Sequence, residues 1–215
     1  MSVPLISRPG ALARSRLPWL VIAFLAGLIV LISHEVFQKW LYMRPCELCV
    51  YIRFALTVLG LAALVTAAAP RLLPLRILGY VGGAAASVYG LLTTIRLQGI
   101  HHALRSDDPE ALFGFEGCSL EPRFPFGFPA ERLAPDWFQP TGECGYDLPD
   151  VPAGTELSPL QERLIELYRE SGGWYLIPDA EFMTMADSAF LAFSVTLVIL
   201  GVLALGDVRR ARETV

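Results

Sequence analysis

Charge is scarce in this sequence. Only 18% of its 215 residues are Asp, Glu, Lys or Arg, against ~25% in an average soluble domain. A disordered chain needs the opposite, low hydrophobicity with high net charge, and is excluded. An excess of positive charge is missing as well. Seventeen Lys and Arg face 21 Asp and Glu, a net charge of −4. That is the wrong sign for a phosphate-binding surface, so no nucleic-acid partner is expected. No internal repeat is present. No Ala-x-Ala-like cleavage site follows the first apolar run, which exceeds the ~7–15 residues of a signal peptide's apolar region. The run is therefore expected to remain as a span, although Arg8, Arg14 and Arg16 precede it.

What the chain has instead is apolar residues, 54% of the total, with a mean hydropathy of +0.49. They fall in four runs without a charge: 17–33, 54–69, 77–95 and 188–206. A bilayer core of ~30 Å needs ~20 helical residues at 1.5 Å each, so each run is long enough to span, the first with help from Val36 and Phe37. Four buried core helices would leave too little polar chain to cover them. The cations orient the spans. Arg8, Arg14 and Arg16, then Arg71 and Arg76, then Arg209, Arg210 and Arg212 occupy three short segments, which are assigned to the cytoplasm. The long segment after the third run carries 17 acidic residues and five arginines and is assigned to the outer side. The third run holds Gly79-x-x-x-Gly83, a small-residue pattern that lets helices approach closely.

The expected fold is all-α: a four-transmembrane-helix bundle forming one membrane domain over 1–215. Its spans are about 17–36, 46–69, 77–97 and 187–206, and its outer loops about 37–45 and 98–186. The long loop has nine prolines between 109 and 159, so it is not one helix. A short helical turn is expected from Ser106 to Gly114. An amphipathic helix is expected from Ser158 to Arg169, with Ser158 as N-cap, Pro159 at the first position and Gln161 completing a capping box. Leu160, Leu164, Leu167 and Tyr168 are read as its apolar face, free to lie on the bilayer, dock a partner or pack on the loop. Trp174 and Tyr175 are read as interfacial anchors, and His34 and Glu35 as interfacial residues. Phe124, Phe126, Phe128, Trp137 and Phe138 suit a small core or a headgroup belt.

All four cysteines lie at or beyond the outer edge of the spans. Three readings are open: disulfides in an oxidising compartment that include a reactive pair, two purely structural disulfides, or a four-cysteine zinc site, which the spacing of Cys118 and Cys144 disfavours. Cys46-x-x-Cys49 follows Pro45 at the start of the second span. A thiol there meets the positive end of the helix dipole and is favoured as a thiolate. Arg53, on the same face at i+7 from Cys46, is a cation ~10 Å deeper. An intramembrane charge marks function by default. Arg53 would steady the Cys49 thiolate and negative charge on a lipid-soluble oxidant, and the oxidant at that depth is a quinone.

The run Arg44-Pro45-Cys46-Glu47-Leu48-Cys49-Val50-Tyr51-Ile52-Arg53 resembles the P-C-x-x-C-x-Y-x-R signature of the disulfide bond formation protein B (DsbB) family. The resemblance extends through the Pro70–Arg76 turn to Cys118, Arg123-Phe124-Pro125 and Gly142-Glu143-Cys144. It implies a four-helix quinone reductase of the bacterial inner membrane, with both termini cytoplasmic. Such a protein reoxidises a periplasmic thioredoxin-fold partner like DsbA and draws on ubiquinone or menaquinone from the membrane pool. By the same resemblance Cys118 and Cys144 form an outer disulfide that the partner attacks at Cys118. Cys144 then exchanges with Cys46, and Cys49 faces the quinone beside Arg53. His101 matches a histidine near the quinone. No metal is implied. Residues 145–173 have no counterpart in the short link of familiar members, which points toward a dedicated partner. A vitamin K epoxide reductase-type protein is a second reading, disfavoured because the C-x-x-C precedes the outer pair here. A non-catalytic membrane scaffold with a disulfide-stapled, partner-binding loop is a third.

Overall fold

The computed structural model describes residues 9–106, 118–145 and 147–213. Arg8 and most of the expected Ser106–Gly114 turn lie outside the described residues. The chain is mostly helical, with α1 at Pro9–Ala13, α2 at Leu17–Leu31, a π-helix at Ile32–Trp40, α3 at Glu47–Ala68 and α4 at Leu73–Arg105. Four short elements follow: α5 at Ala130–Leu133, α6 at Pro135–Phe138, α7 at Pro159–Glu170, and a hairpin of β1 (Tyr175–Ile177) and β2 (Phe182–Thr184). The last helix, α8, is Met185–Glu213. Among the described residues, four helices are long and apolar enough to cross a membrane: Leu17–Trp40, Glu47–Ala68, Leu73–Arg105 and Met185–Arg212. Phe24, Val81 and Val198 are each more than 60% exposed. Large apolar side chains held outward on such helices suit lipid rather than water.

Two compact units make up the chain: 1–29 with 55–89 and 192–215, and 30–54 with 90–191. In the first unit Trp19, Ile22 and Ala26 of α2 pack on Leu59, Ala63 and Ala67 of α3, with Ala86 of α4 and Leu200 of α8. The small residues are needed for this approach. A Cβ on Gly79 would run into Thr66 Oγ1 and the Trp19 ring, and one on Gly83 would sit 3.0 Å from Leu200 Cδ1. Buried Asp207 takes Arg14 Nε at 3.0 Å and Arg76 Nε at 2.9 Å. One carboxylate, just ahead of the third cationic segment, thus joins a cation from each of the first two.

The second unit contains the outer elements. The π-helix is closed by Leu41 N donating to Val36 O at 2.8 Å, the i−5 pattern of a wide turn. In α7, Ser158 and Gln161 form the expected capping box, and Gly172 follows the helix with φ +72°. The buried face differs from the expectation. It consists of Gln161, Ile165 and Tyr168, while Leu160 is 61% exposed. Ile165 and Tyr168 cover Leu41 and Met43, flanked by Phe37, Trp40 and Trp174, and Gln161 Nε2 donates to Trp40 O at 2.6 Å. The helix therefore packs on the loop. Replacing Ile165 with Ala is expected to remove about 2–5 kcal/mol of packing. Faster proteolysis between 145 and 173 in the folded protein would register the loss, and an unchanged cleavage rate would contradict it.

Two aromatic assignments change. Trp174 stacks edge-on against Phe37 at 5.2 Å, and Tyr175 is buried in β1 with Arg105 5.0 Å above its ring. Both pack on the loop's own residues, Tyr175 buried and Trp174 half-buried. His34 is fully buried rather than interfacial. Thr184 caps α8 reciprocally with Asp187: Thr184 N donates to Asp187 Oδ2 at 3.0 Å and Asp187 N to Thr184 Oγ1 at 3.2 Å. This capping box starts the helix without a proline.

Candidate active site: two cysteine pairs at the head of α3

Cys46 is bonded to Cys49 and Cys118 to Cys144, with Cα separations of 5.0 and 5.8 Å. Pro45 delivers Cys46 to the cap position of α3. Val50 N donates to Cys46 O at 3.0 Å, and Cys49 N donates to Cys46 Sγ at 3.2 Å. The sulfur thus occupies the place of an N-cap oxygen, among helix N–H groups that favour negative charge. Cys46 is fully buried and Cys49 half-buried.

The outer pair is held against this helix end by the residues around it. Thr141 N and Gly142 N both donate to Pro45 O, at 2.9 and 3.1 Å. Gly142 is required there, since a Cβ would lie 2.6 Å from Arg44 O. Glu47 accepts from Ser119 N at 2.7 Å and from Tyr51 Oη at 2.7 Å, and Tyr51 Oη accepts from Arg123 N at 2.7 Å. Chain neighbours of both Cys118 and Cys144 are thereby tied to the first turns of α3. Phe124 is buried against Tyr51 and Phe54, with Phe138 beside it. Phe126 is fully exposed.

Arg53 is 5% exposed, and its Nη1 donates to Gln38 Oε1 at 2.7 Å and to Trp137 O at 2.8 Å. It joins α3 to the π-helix and to α6. Beside it, Trp137 stacks on His34 with centroids 3.8 Å apart. Asp136 lies 3.2 Å from His34 Nε2 and 3.1 Å from Lys39 Nζ. The hydrogen bond from Lys39 holds the Asp136 carboxyl below its ordinary value.

The two adjacent histidines separate: His101 is 5% exposed and His102 is exposed. His101 Nε2 is 3.1 Å from Asp147 Oδ2, and a carboxylate oxygen of Asp147 lies within 4.8 Å of both Cys46 Sγ and Cys49 Sγ. Sequence reasoning did not single out Asp147. It reaches the sulfurs because Gly145, at φ +87°, turns the chain over α4 where a Cβ would strike Leu104. A glycine two residues ahead of an acid is the only trace of this in the sequence. His101 also borders a cavity of about 380 Å³ lined by Gln98, Arg105, Thr184 and Asp187, within the range of small-ligand sites. Both of its buried ring nitrogens lack a hydrogen bond among the described residues, and a carbonyl-bearing ring would satisfy one of them.

A signature helix start with one redox pair, clamped to a second pair, matches one group of proteins throughout. The family described as Disulfide bond formation protein DsbB matches residues 15–203. This chain belongs to the DsbB family. It is 46% identical over 189 residues to the protein-disulfide oxidoreductase DsbI of Escherichia coli, covering 88% of this chain and 85% of that one. To the protein-disulfide oxidoreductase DsbI of Salmonella typhimurium it is 44% identical over 189 residues, 88% and 84% of the two chains. The chain is accordingly a multi-pass thiol-disulfide oxidoreductase of the DsbB family. Pro45, Tyr51 and Arg53 of that signature, with Glu47 at one of its open positions, each hold part of the outer loop as well as flanking the sulfurs.

Proposed function

We propose that this protein is a quinone reductase of the bacterial inner membrane, oxidising a periplasmic thioredoxin-fold dithiol partner of the DsbA class. The observation that carries the reading is the double donation to Pro45 O. It ties the segment before Cys144 to the residue that precedes the Cys46–Cys49 pair. A partner thiolate attacks Cys118 Sγ, the Cys118–Cys144 bond breaks, and the electron pair leaves on Cys144. Cys144 attacks Cys46 Sγ and Cys49 leaves as the thiolate. Each step is a thiolate displacing a thiolate at sulfur, so electrons move as pairs without radicals. When the partner's second thiol releases it from Cys118, Cys118 recovers Cys144 and Cys46 is free to re-form its bond with Cys49. Quinone, ubiquinone or menaquinone, supplies the two-electron, two-proton sink. His101, which borders the cavity, and Arg53, one turn deeper than Cys49, would hold it. The three cationic segments favour cytoplasmic termini. The 145–173 segment, with α7 seated on 36–43, reshapes the outer surface and favours a dedicated partner.

The test is reduction of a short-chain quinone by purified protein in detergent, driven by a reduced thioredoxin-fold dithiol protein. Turnover is expected in the wild type and none in Cys118→Ala. Failure of every dithiol, protein or small, to drive quinone reduction by the intact protein would overturn the proposal in favour of the scaffold reading.

A further inference from the structure

Reduction of the inner pair creates a problem of charge at the head of α3. Cys46 Sγ, Cys49 Sγ and a carboxylate oxygen of Asp147 lie within 4.8 Å of one another. Cys46 is fully buried, Asp147 is 8% exposed, and His101 beside it is 5% exposed. With the pair oxidised, the Asp147 carboxylate carries the only charge of the three. With both sulfurs as thiolates, three anions share a nearly buried site, which is costly unless a cation joins them. We propose that the reduced Cys46/Cys49 pair and Asp147 form a binding site for a thiophilic divalent cation of the zinc type, present only while the pair is open. This rests on the reading that Cys46–Cys49 is reduced in the cycle, as it is when quinone is exhausted.

The donors suit that ion. Thiolates are the soft ligands that select zinc over magnesium and calcium, and C-x-x-C is the ligand spacing of many zinc sites. At ~2.3 Å per zinc–sulfur bond, two sulfurs of a tetrahedral site stand ~3.8 Å apart, a separation the C-x-x-C turn allows once the S–S bond is open. The Asp147 oxygen is the third ligand, and water completes the four. His101 acts on the carboxylate rather than on the ion. Its Nε2 is 3.1 Å from Asp147 Oδ2. Both ring nitrogens lack a hydrogen bond among the described residues, so this one is available to the carboxylate as it turns onto the ion. A hydrogen bond there would fix the ligating oxygen, as partners of metal-binding carboxylates do. The site uses neither Cys118 nor Cys144, so the outer pair keeps its disulfide.

The charged groups nearby have partners of their own. Glu47 accepts from Tyr51 and Ser119. Arg44 pairs with Asp150 at 2.6 Å. Arg53 donates to Gln38 and to the Trp137 carbonyl, and Arg105 lies over Tyr175. A divalent ion returns the sum of two thiolates and a carboxylate from −3 to −1, the charge of the oxidised site. Two zinc–sulfur bonds form, any protons left on the sulfurs pass to water, and nothing is oxidised or reduced. A sulfur held by zinc has its attacking electron pair engaged. The chain therefore rests in the reduced form until the ion leaves, and zinc acts as a reversible brake on a quinone-starved enzyme.

The experiment uses quinone-free full-length protein in a Cys118→Ala/Cys144→Ala background, where Cys46 and Cys49 are the only cysteines. The protein is reduced with a phosphine that is then removed, and cobalt(II) is the probe. The reduced protein is expected to bind one equivalent with the thiolate-to-cobalt absorbance of two sulfurs, and zinc should displace it. The oxidised protein should bind none. X-ray absorption of the zinc form should show two sulfurs at ~2.3 Å with lighter ligands at ~2.0–2.2 Å. Asp147→Asn should weaken zinc binding about tenfold or more. His101→Gln should weaken it too, but should change little in an Asp147→Asn background, because His101 acts through that carboxylate. A further readout needs no variant at Asp147 or His101: one equivalent of zinc should slow reoxidation of the pair by glutathione disulfide, and a chelator should restore it. No cobalt on the reduced protein, equal binding by the oxidised protein, a single sulfur on the ion, unchanged reoxidation with zinc, or Asp147→Asn binding zinc as tightly as its parent would each overturn the proposal. None of these readouts involves quinone or partner, so failure here leaves the electron route standing.

Discussion

Cys49→Ala is expected to convert a catalyst into a reagent consumed once. The wild type holds two disulfides. Without quinone it should oxidise two equivalents of dithiol partner per chain, and with quinone it should turn over. In Cys49→Ala the inner pair cannot close, so one disulfide remains. Oxidation should stop after one equivalent whether or not quinone is present. Steady-state turnover should fall at least on the order of a thousandfold, as losses of a covalent nucleophile do elsewhere. Titrating free thiols on the partner against protein concentration gives the stoichiometry directly. Sustained turnover in Cys49→Ala, or two equivalents without quinone, would remove Cys49 from the electron path.

Arg53→Ala should produce the largest structural effect. Its guanidinium is 5% exposed and satisfies Gln38 Oε1 and the Trp137 carbonyl. Hydrogen bonds from a charged donor contribute ~1.5–3 kcal/mol each, and buried acceptors left behind carry their own desolvation cost. A loss of about 3–5 kcal/mol is expected, concentrated where α6 meets the π-helix. Arg53→Lys keeps the charge but not the planar fork, and should recover only part. Thermal unfolding in detergent measures the total, and cleavage between 118 and 139 locates it. If Arg53→Ala unfolds with wild-type midpoint and cleavage pattern, the clamp is energetically idle.

How much of this could be read from the residues alone depends on distance along the chain. The four spans are legible because a helix in lipid satisfies its own backbone and needs only an uncharged stretch. The α7 cap is legible because Ser158 and Gln161 are three positions apart. Cys46 and Cys49 are legible for the same reason. Arg53 announces itself as a buried cation, yet its partners lie 15 and 84 positions away, and nothing local marks Gln38 or Trp137 as acceptors. Asp147 is invisible as a neighbour of His101 until the turn at Gly145 is known. Trp174 and Tyr175 were open to misassignment because a headgroup belt and a small loop core select the same amphipathic rings. Ile165, left out of the expected apolar face of α7, proves to be its centre because it covers Leu41 and Met43, which nothing local to α7 marks as its partners.

The seat of α7 on the first outer segment also sets an order of events during synthesis. Gln161 closes on Trp40 across 121 positions. At about 5–20 residues per second on the ribosome, roughly 6–24 s separate the two. Within that interval, from residue 49 until residue 118, Cys46 and Cys49 are the only cysteines of this sequence yet made. Until Cys118 is made, the growing chain offers the inner pair no wrong cysteine of its own to bond with.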